Sequence, residues 1–314
     1  DFRDDETPRV SNHLTPRRFT GGANRVSPGT RLFLISHRTA GMTTVDSRAT
    51  RLYRYRHDTL VTERGDPTDP TLVCVHGTLM DRTMFRPQLE TLSDNHHVLA
   101  YDLRARTDQY DGNYDLYDLA DDCDALLEAR GIDSCTLAGM SMGGFMALRF
   151  ADRYPDRLDA IVMIDSIAQP HDEGDIELYQ DMIDSVRDAG EVPEEMAHTI
   201  TDFLFGATTN QERADLADHW VQRWQTYPAE AVYQEVSSWL HRPDVTDQLG
   251  GIDVPVLAIH GEEDASLEME KAEDMTERLS DARLEPIPEA GHSSNLENPE
   301  AANTAIREFL AGVY

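Results

Sequence analysis

Short apolar runs recur along the chain, spaced so that each pair leaves room for one helix. They cover residues 71–76, 97–101, 135–139, 160–164, 255–259 and 283–288. Runs of this length and composition read as buried strands. The intervals carry helical patterns. In 116–127, Leu116, Leu119, Cys123, Leu126 and Leu127 fall on one face, and Gly131 stops that helix. Parallel strands need such crossovers, whereas antiparallel neighbours do not. The alternation therefore predicts an α/β fold with a mostly parallel central sheet and helices on both faces. Residues 51–56 and 59–63 read as an opening antiparallel pair.

One interval breaks the rhythm. About ninety residues separate the runs ending at 164 and starting at 255, far more than a crossover needs. They hold acidic amphipathic helices with Trp220, Trp224, Tyr227, Tyr233 and Trp239. We read residues 169–245 as an inserted helical cap, and 42–168 with 246–314 as the sheet domain. The cap aromatics are expected to form its core, with one or two lining a site.

Charge narrows the partners. The 314 residues carry 28 Lys+Arg against 59 Asp+Glu, a net charge of −31. Such a field repels nucleic acid and anionic lipid. No apolar run has the length of a membrane span. With 39% hydrophobic residues in compact runs, the chain is not a disordered polyanion either. Lys271 is its single lysine. Abundant acid with almost no lysine is the composition of proteins from salt-loving microbes, in which screening offsets carboxylate repulsion. Residues 1–41 differ, with seven arginines against four acidic side chains. Met42 is the expected native start, with 1–41 an upstream extension or basic tail. Cys74, Cys123 and Cys135 show no metal-like spacing, and no secretory pattern opens the chain. Buried reduced thiols and a cytoplasmic protein are expected.

The strongest local signal is Gly139-Met140-Ser141-Met142-Gly143-Gly144, between the run 135–138 and a helix-like stretch over 145–154. A G-x-S-x-G segment joining strand to helix is the nucleophile-elbow pattern. In so tight a turn, side chains two before and two after the serine would strike backbone, and glycine relieves both clashes. The serine stands exposed above a helix N-terminus, whose free N–H groups favour negative charge.

Other stretches join this one: Val75-His76-Gly77-Thr78, Tyr101-Asp102-Leu103-Arg104, Tyr154-Pro155-Asp156-Arg157, His260-Gly261-Glu262-Glu263-Asp264 and Ala290-Gly291-His292. Together they resemble the α/β-hydrolase fold superfamily from about residue 51 to the end. Within it the chain most resembles small cap-bearing esterases and lactonases, including 3-oxoadipate enol-lactonase-like proteins.

The resemblance implies roles. Ser141 is the nucleophile and needs a base within reach. Among twelve histidines, His292 follows the last strand-like run, on a loop before a helix opened by Pro299, and is the implied base. The acid is placed at Asp264, after the strand-like run near 256–261. Glu262, Glu263 and Asp165 are its rivals, and Asp165 is expected to cap local backbone. The oxyanion donors are the Met142 and Thr78 N–H groups, with Leu79 the fallback. His76 is expected to be structural. Where relatives often carry Gly-His-Gly after Asp-Leu-Arg, this chain has Ala105-Arg106-Thr107. His96-His97 has no metal-site pattern, and Asp121, Asp122 and Asp124 read as a solvated helix face.

The expected function is ester hydrolysis through a Ser141–His292–Asp264 triad, with no cofactor and no metal. The expected partner is a small-molecule ester or lactone; oligomeric state is open. Lactone or C–C bond hydrolysis, peptidase action, perhydrolysis and acyl transfer use the same triad. A non-catalytic ligand-binding protein is the rival of another class.

Overall fold

The computed structural model describes residues 60–314. The N-terminal segment 1–41, Met42 and the run 51–56 lie outside the described residues. The strands are β1 (Val61–Arg64), β2 (Thr71–Val75), β3 (His97–Tyr101), β4 (Cys135–Met140), β5 (Leu158–Ile164), β6 (Val256–Gly261) and β7 (Ala282–Ile287). They form one sheet in the order β1-β3-β2-β4-β5-β6-β7. β1 runs antiparallel to β3, and the other neighbouring pairs are parallel. The order reverses at β2, whose followers β3 and β4 lie on its opposite sides. In open α/β sheets such a reversal leaves a crevice at the carboxyl ends of the strands.

The helices are α1 (Arg86–Leu92), α2 (Leu116–Arg130), α3 (Met142–Arg153), α4 (Glu173–Ala189), α5 (Glu194–Leu204), α6 (Ala207–Glu212), α7 (Ala214–Trp224), α8 (Ala229–Leu240), α9 (Met269–Arg278), α10 (Ser294–Glu297) and α11 (Pro299–Val313). Every residue of β2 is buried. Alternate side chains go to opposite faces, as the strand period requires. Val73 and Val75 join a core with Leu119, Leu126, Phe145 and Met146 of α2 and α3. Leu72 and Cys74 join another with Leu89 of α1 and Ile306 and Leu310 of α11.

α2 opens on a reciprocal cap between Asp115 and Asp118 and closes at Gly131, which takes φ 69°. The expectation of a solvated acidic face on α2 fails. Asp122 is fully buried and forms an ion pair with Arg104 at 2.7 Å. Asp124 is buried beside Arg157, 3.3 Å away. Asp121 takes Arg153 at 2.6 Å and the Tyr154 hydroxyl at 2.8 Å. Arginines from α3 and the neighbouring turns need partners on that side of the helix, and the acids supply them.

Helices α4 to α8 all lie in the interval between β5 and β6. Trp220 and Trp224 are buried among Phe205, Leu216 and Val221, and the Trp224 ring stacks on Phe205 at 6.4 Å. Lys271 of α9 reaches Asp172, just before α4, at 3.3 Å, and Glu268 at 3.4 Å. All three cysteines are buried and free.

Candidate active site

Ser141 lies between β4 and α3 with φ 49° and ψ −113°, outside the regions side chains prefer. A Cβ on Gly139 would lie 2.3 Å from the Gly143 backbone, and one on Gly143 would lie 2.2 Å from the Val75 carbonyl oxygen. These are the clashes expected of so tight a turn. The Ser141 N–H donates to the Ile164 carbonyl at 2.8 Å. Its own carbonyl accepts from the Ser166 hydroxyl at 2.9 Å. The strained residue is thereby pinned from β5.

The structure brings Ser141, His292 and Asp264 together. His292 Nε2 is 2.9 Å from Ser141 Oγ, and His292 Nδ1 is 2.8 Å from Asp264 Oδ2. The other Asp264 oxygen accepts the Ser266 and Leu267 N–H groups at 2.8 and 3.0 Å. Burial disfavours charge on both partners, but their mutual attraction and hydrogen bond outweigh it. The Asp264 carboxyl is held below its usual range and the His292 imidazole above its own. A serine–histidine–carboxylate chain of this geometry can move the hydroxyl proton onto the imidazole.

Of the three rival acids, Glu263 and Asp165 are held by other partners. Glu263 accepts the Thr208 N–H and hydroxyl at 2.8 and 2.6 Å. Asp165 accepts the Gly261 N–H at 2.9 Å and the Ser294 N–H at 2.8 Å. It ties the loops carrying Asp264 and His292 to β5, and burial pushes its carboxyl up to about 6. His260 has a position the sequence did not mark: its Nε2 lies 3.3 Å from Asp264 Oδ2 and 2.9 Å from the Leu267 carbonyl. Asp165, His260 and Asp264 approach closely enough to share a cation. Both Asp165 oxygens and Asp264 Oδ1 already accept backbone N–H groups, and Asp264 Oδ2 faces His292 Nδ1.

A pocket opens on Ser141 and His292. Its walls include Phe145 of α3, Ile183 and Val186 of α4, and Ile200 of α5. Thr78 and Leu79 also line it. Met142 is the first residue of α3, where backbone N–H groups lack intrahelical partners. Leu79 has φ 63°, and its N–H donates to Glu235 Oε2 at 3.1 Å. The fallback donor is thus engaged. His76 bonds loop backbone, as expected: its ring nitrogens lie 2.9 Å from the Gly77 carbonyl and 3.0 Å from the Leu103 N–H. Burial holds its pKa down to about 4.

The family model for the alpha/beta hydrolase fold matches residues 70–299. The chain belongs to the α/β-hydrolase fold family. It is 27% identical over 248 residues to 3-oxoadipate enol-lactonase 2 of Acinetobacter baylyi, spanning 78% of this chain and 90% of that protein. It is 26% identical over 255 residues to a putative carbamate hydrolase RutD of Variovorax paradoxus, spanning 79% and 94%. Among solved structures, a thermophilic esterase from Thermogutta terrifontis superposes with a TM-score of 0.75 at 31% identity, over 81% of this chain and 93% of that one. The protein is therefore an α/β hydrolase with esterase and enol-lactonase relatives.

In this α/β hydrolase the Ala105-Arg106-Thr107 departure has a structural counterpart that sequence reasoning missed. Arg106 donates to the Met80 carbonyl at 2.8 Å and pairs with Glu235 of α8 at 2.7 Å, with both side chains buried. Glu235 in turn holds the Leu79 N–H. The Trp224 indole donates to the Leu79 carbonyl at 2.9 Å. Asp81 pairs with Arg223 and accepts from the Tyr227 hydroxyl at 3.2 Å. Residues 79–81, beside Thr78, are thus bound on several sides by α7, α8 and the turn between them. The only available signal was Ala105-Arg106-Thr107 standing where relatives often carry Gly-His-Gly.

Proposed function

We propose that the protein is a serine hydrolase of carboxylic esters. In this reading Ser141 attacks the ester carbonyl while His292 takes its proton. Asp264 holds the imidazole tautomer and stabilises the imidazolium. The Thr78 and Met142 N–H groups receive the tetrahedral oxyanion. His292 then returns the proton to the leaving alcohol, an acyl-enzyme remains, and water activated by His292 releases the acid. Residues 169–245 serve as a cap over the site. The observation that carries the reading is the Ser141–His292–Asp264 chain of 2.9 and 2.8 Å contacts at the floor of a pocket. Lactones are a second substrate class, favoured by the enol-lactonase named among the relatives.

A fluorophosphonate probe tests the reading. It should label wild-type protein on Ser141 and leave Ser141→Ala unlabelled. Wild-type protein that is folded in high salt yet unlabelled would overturn the enzyme reading in favour of a ligand-binding protein. A panel of p-nitrophenyl esters and simple lactones then ranks the two substrate classes.

A further inference from the structure

His292 sits on a loop whose backbone is held by a buried carboxylate that the proposed reaction does not use. Glu297 closes α10, five residues after His292, and is only 5% exposed. Its Oε1 accepts the Gly291 and Ser293 N–H groups, both at 3.0 Å, so it holds the chain on either side of His292. Its Oε2 accepts the Gly206 N–H at 2.7 Å. Gly206 belongs to the turn between α5 and α6, within the interval between β5 and β6. Among the described residues the carboxylate has no Lys or Arg partner, and Arg213 donates instead to the Glu297 carbonyl at 2.5 Å.

The turn and the histidine loop meet backbone to backbone. A Cβ on Gly291 would lie 2.3 Å from the Gly206 nitrogen, and one on Gly206 would lie 2.8 Å from the Gly291 nitrogen. α5 lines the pocket through Ile200 and Leu204 and leads into that turn. Charge matters as well as contact. Both Glu297 oxygens face N–H donors, so a proton on either would set an O–H against an N–H. Burial pushes the Glu297 carboxyl up, while the Thr209 hydroxyl and the three backbone donors oppose the rise. Burial also disfavours charge on His292, and Asp264, Asp165 and Glu297 together favour it.

We propose that Glu297 is a positioning residue for His292, and that it makes the placement of the base depend on the turn between α5 and α6. One side chain thereby joins a wall of the pocket to the group that moves the proton. The role rests on the ester-hydrolase reading, in which His292 is that group. A misplacement of about 1 Å can cost about a hundredfold in rate, so a loop that carries a base gains from being held at both flanks. The other titratable groups about His292 are Asp264 and His260 at the end of β6, Asp165 after β5 and His171 before α4. None of them changes in the variants below, so a moved pH limb reports on Glu297.

The test measures kcat and KM for p-nitrophenyl butyrate across pH. Glu297→Gln keeps the shape, removes the charge and turns an amide NH2 toward one of the two segments. It should lower kcat by about ten- to a hundredfold with KM changed by less than about twofold. It should also move the acid limb of kcat/KM to lower pH, because His292 loses a favourable charge. Glu297→Asp is one methylene shorter but keeps the charge, so its limb should stay near that of the wild type. Gly206→Ala forces the turn off Gly291 and should lower kcat with the limb in place. An unmoved limb in Glu297→Gln would make Glu297 a support for the fold alone, and wild-type kcat in Gly206→Ala would break the link to the turn. Either result overturns the proposal. Should Glu297→Gln fail to fold, Gly206→Ala decides through kcat. Failure of the fluorophosphonate to label wild-type Ser141 marks failure of the hydrolase reading instead.

Discussion

At the scale of single residues, the site depends on one strained turn and one coupled pair of charges. Gly139 and Gly143 leave no room for a methyl group against backbone. Gly139→Ala should therefore cost about 1–3 kcal/mol, read as a lower denaturation midpoint, and displace Ser141. The His292 shift makes a pH prediction. Its pKa is raised, so the protonated form is favoured in the fold, and the neutral base is reached only above the usual histidine value. The acid limb of kcat/KM should lie there. Stability gained from the pair follows opposite signs on its two members. The His292 contribution fades as pH rises through its raised pKa, and the Asp264 contribution fades as pH falls through its lowered one. Asp264→Asn should reduce kcat by about 10³–10⁴ and move the acid limb to lower pH, because burial then acts on His292 without the opposing charge. An unchanged limb would remove Asp264 from the assigned role. The meeting of Ser141, His292 and Asp264 could be expected, because a tight strand-to-helix turn restricts what stands at 141 and the family resemblance implied the other two. His260 was not legible: a histidine on a buried strand shows nothing in sequence about which carboxylate it will meet.

At the scale of elements, the strands and the helix ending at Gly131 read directly from apolar runs and a left-handed stop. The place of β1 beside β3 did not, since period and composition do not name a strand's neighbour; the expected partner of 59–63, the run 51–56, lies outside the described residues. Partners across the helices between β5 and β6 were equally hidden. Glu235 is one acid among many, 129 positions from Arg106. The contact they make has measurable consequences. Glu235→Ala leaves a buried guanidinium unpaired and should cost about 3–5 kcal/mol in chemical denaturation. It also frees the Leu79 N–H beside Thr78, so kcat should fall more than KM rises. Glu235→Gln keeps an acceptor for that N–H and should retain more of kcat. Equal losses in both variants would reduce Glu235 to a purely stabilising residue.

At the scale of the whole molecule, the chain carries a net charge of −31, yet no Asp, Glu, Lys or Arg stands among the described residues that line the pocket. We propose that the acidity answers to the salt of the protein's surroundings and not to its chemistry. Repulsion among surface carboxylates is screened over about 3 Å at 1 M salt and about 10 Å at 0.1 M. We expect the denaturation midpoint and the ester-hydrolysis rate to rise together between 0.1 and 2 M potassium chloride. A flat response in both would detach the composition from salt. The buried ion pairs should be largely indifferent to the same change, since screening reaches them little.

The single lysine has a use beyond charge counting. Lys271 sits on α9, beside the sheet, and grips Asp172 where the chain leaves for α4. A reagent selective for side-chain amines has one address on this molecule, at the seam between the sheet and the inserted helices. A fluorophore attached there would replace that ion pair and report on movement at the seam during turnover. No cysteine need be engineered for it.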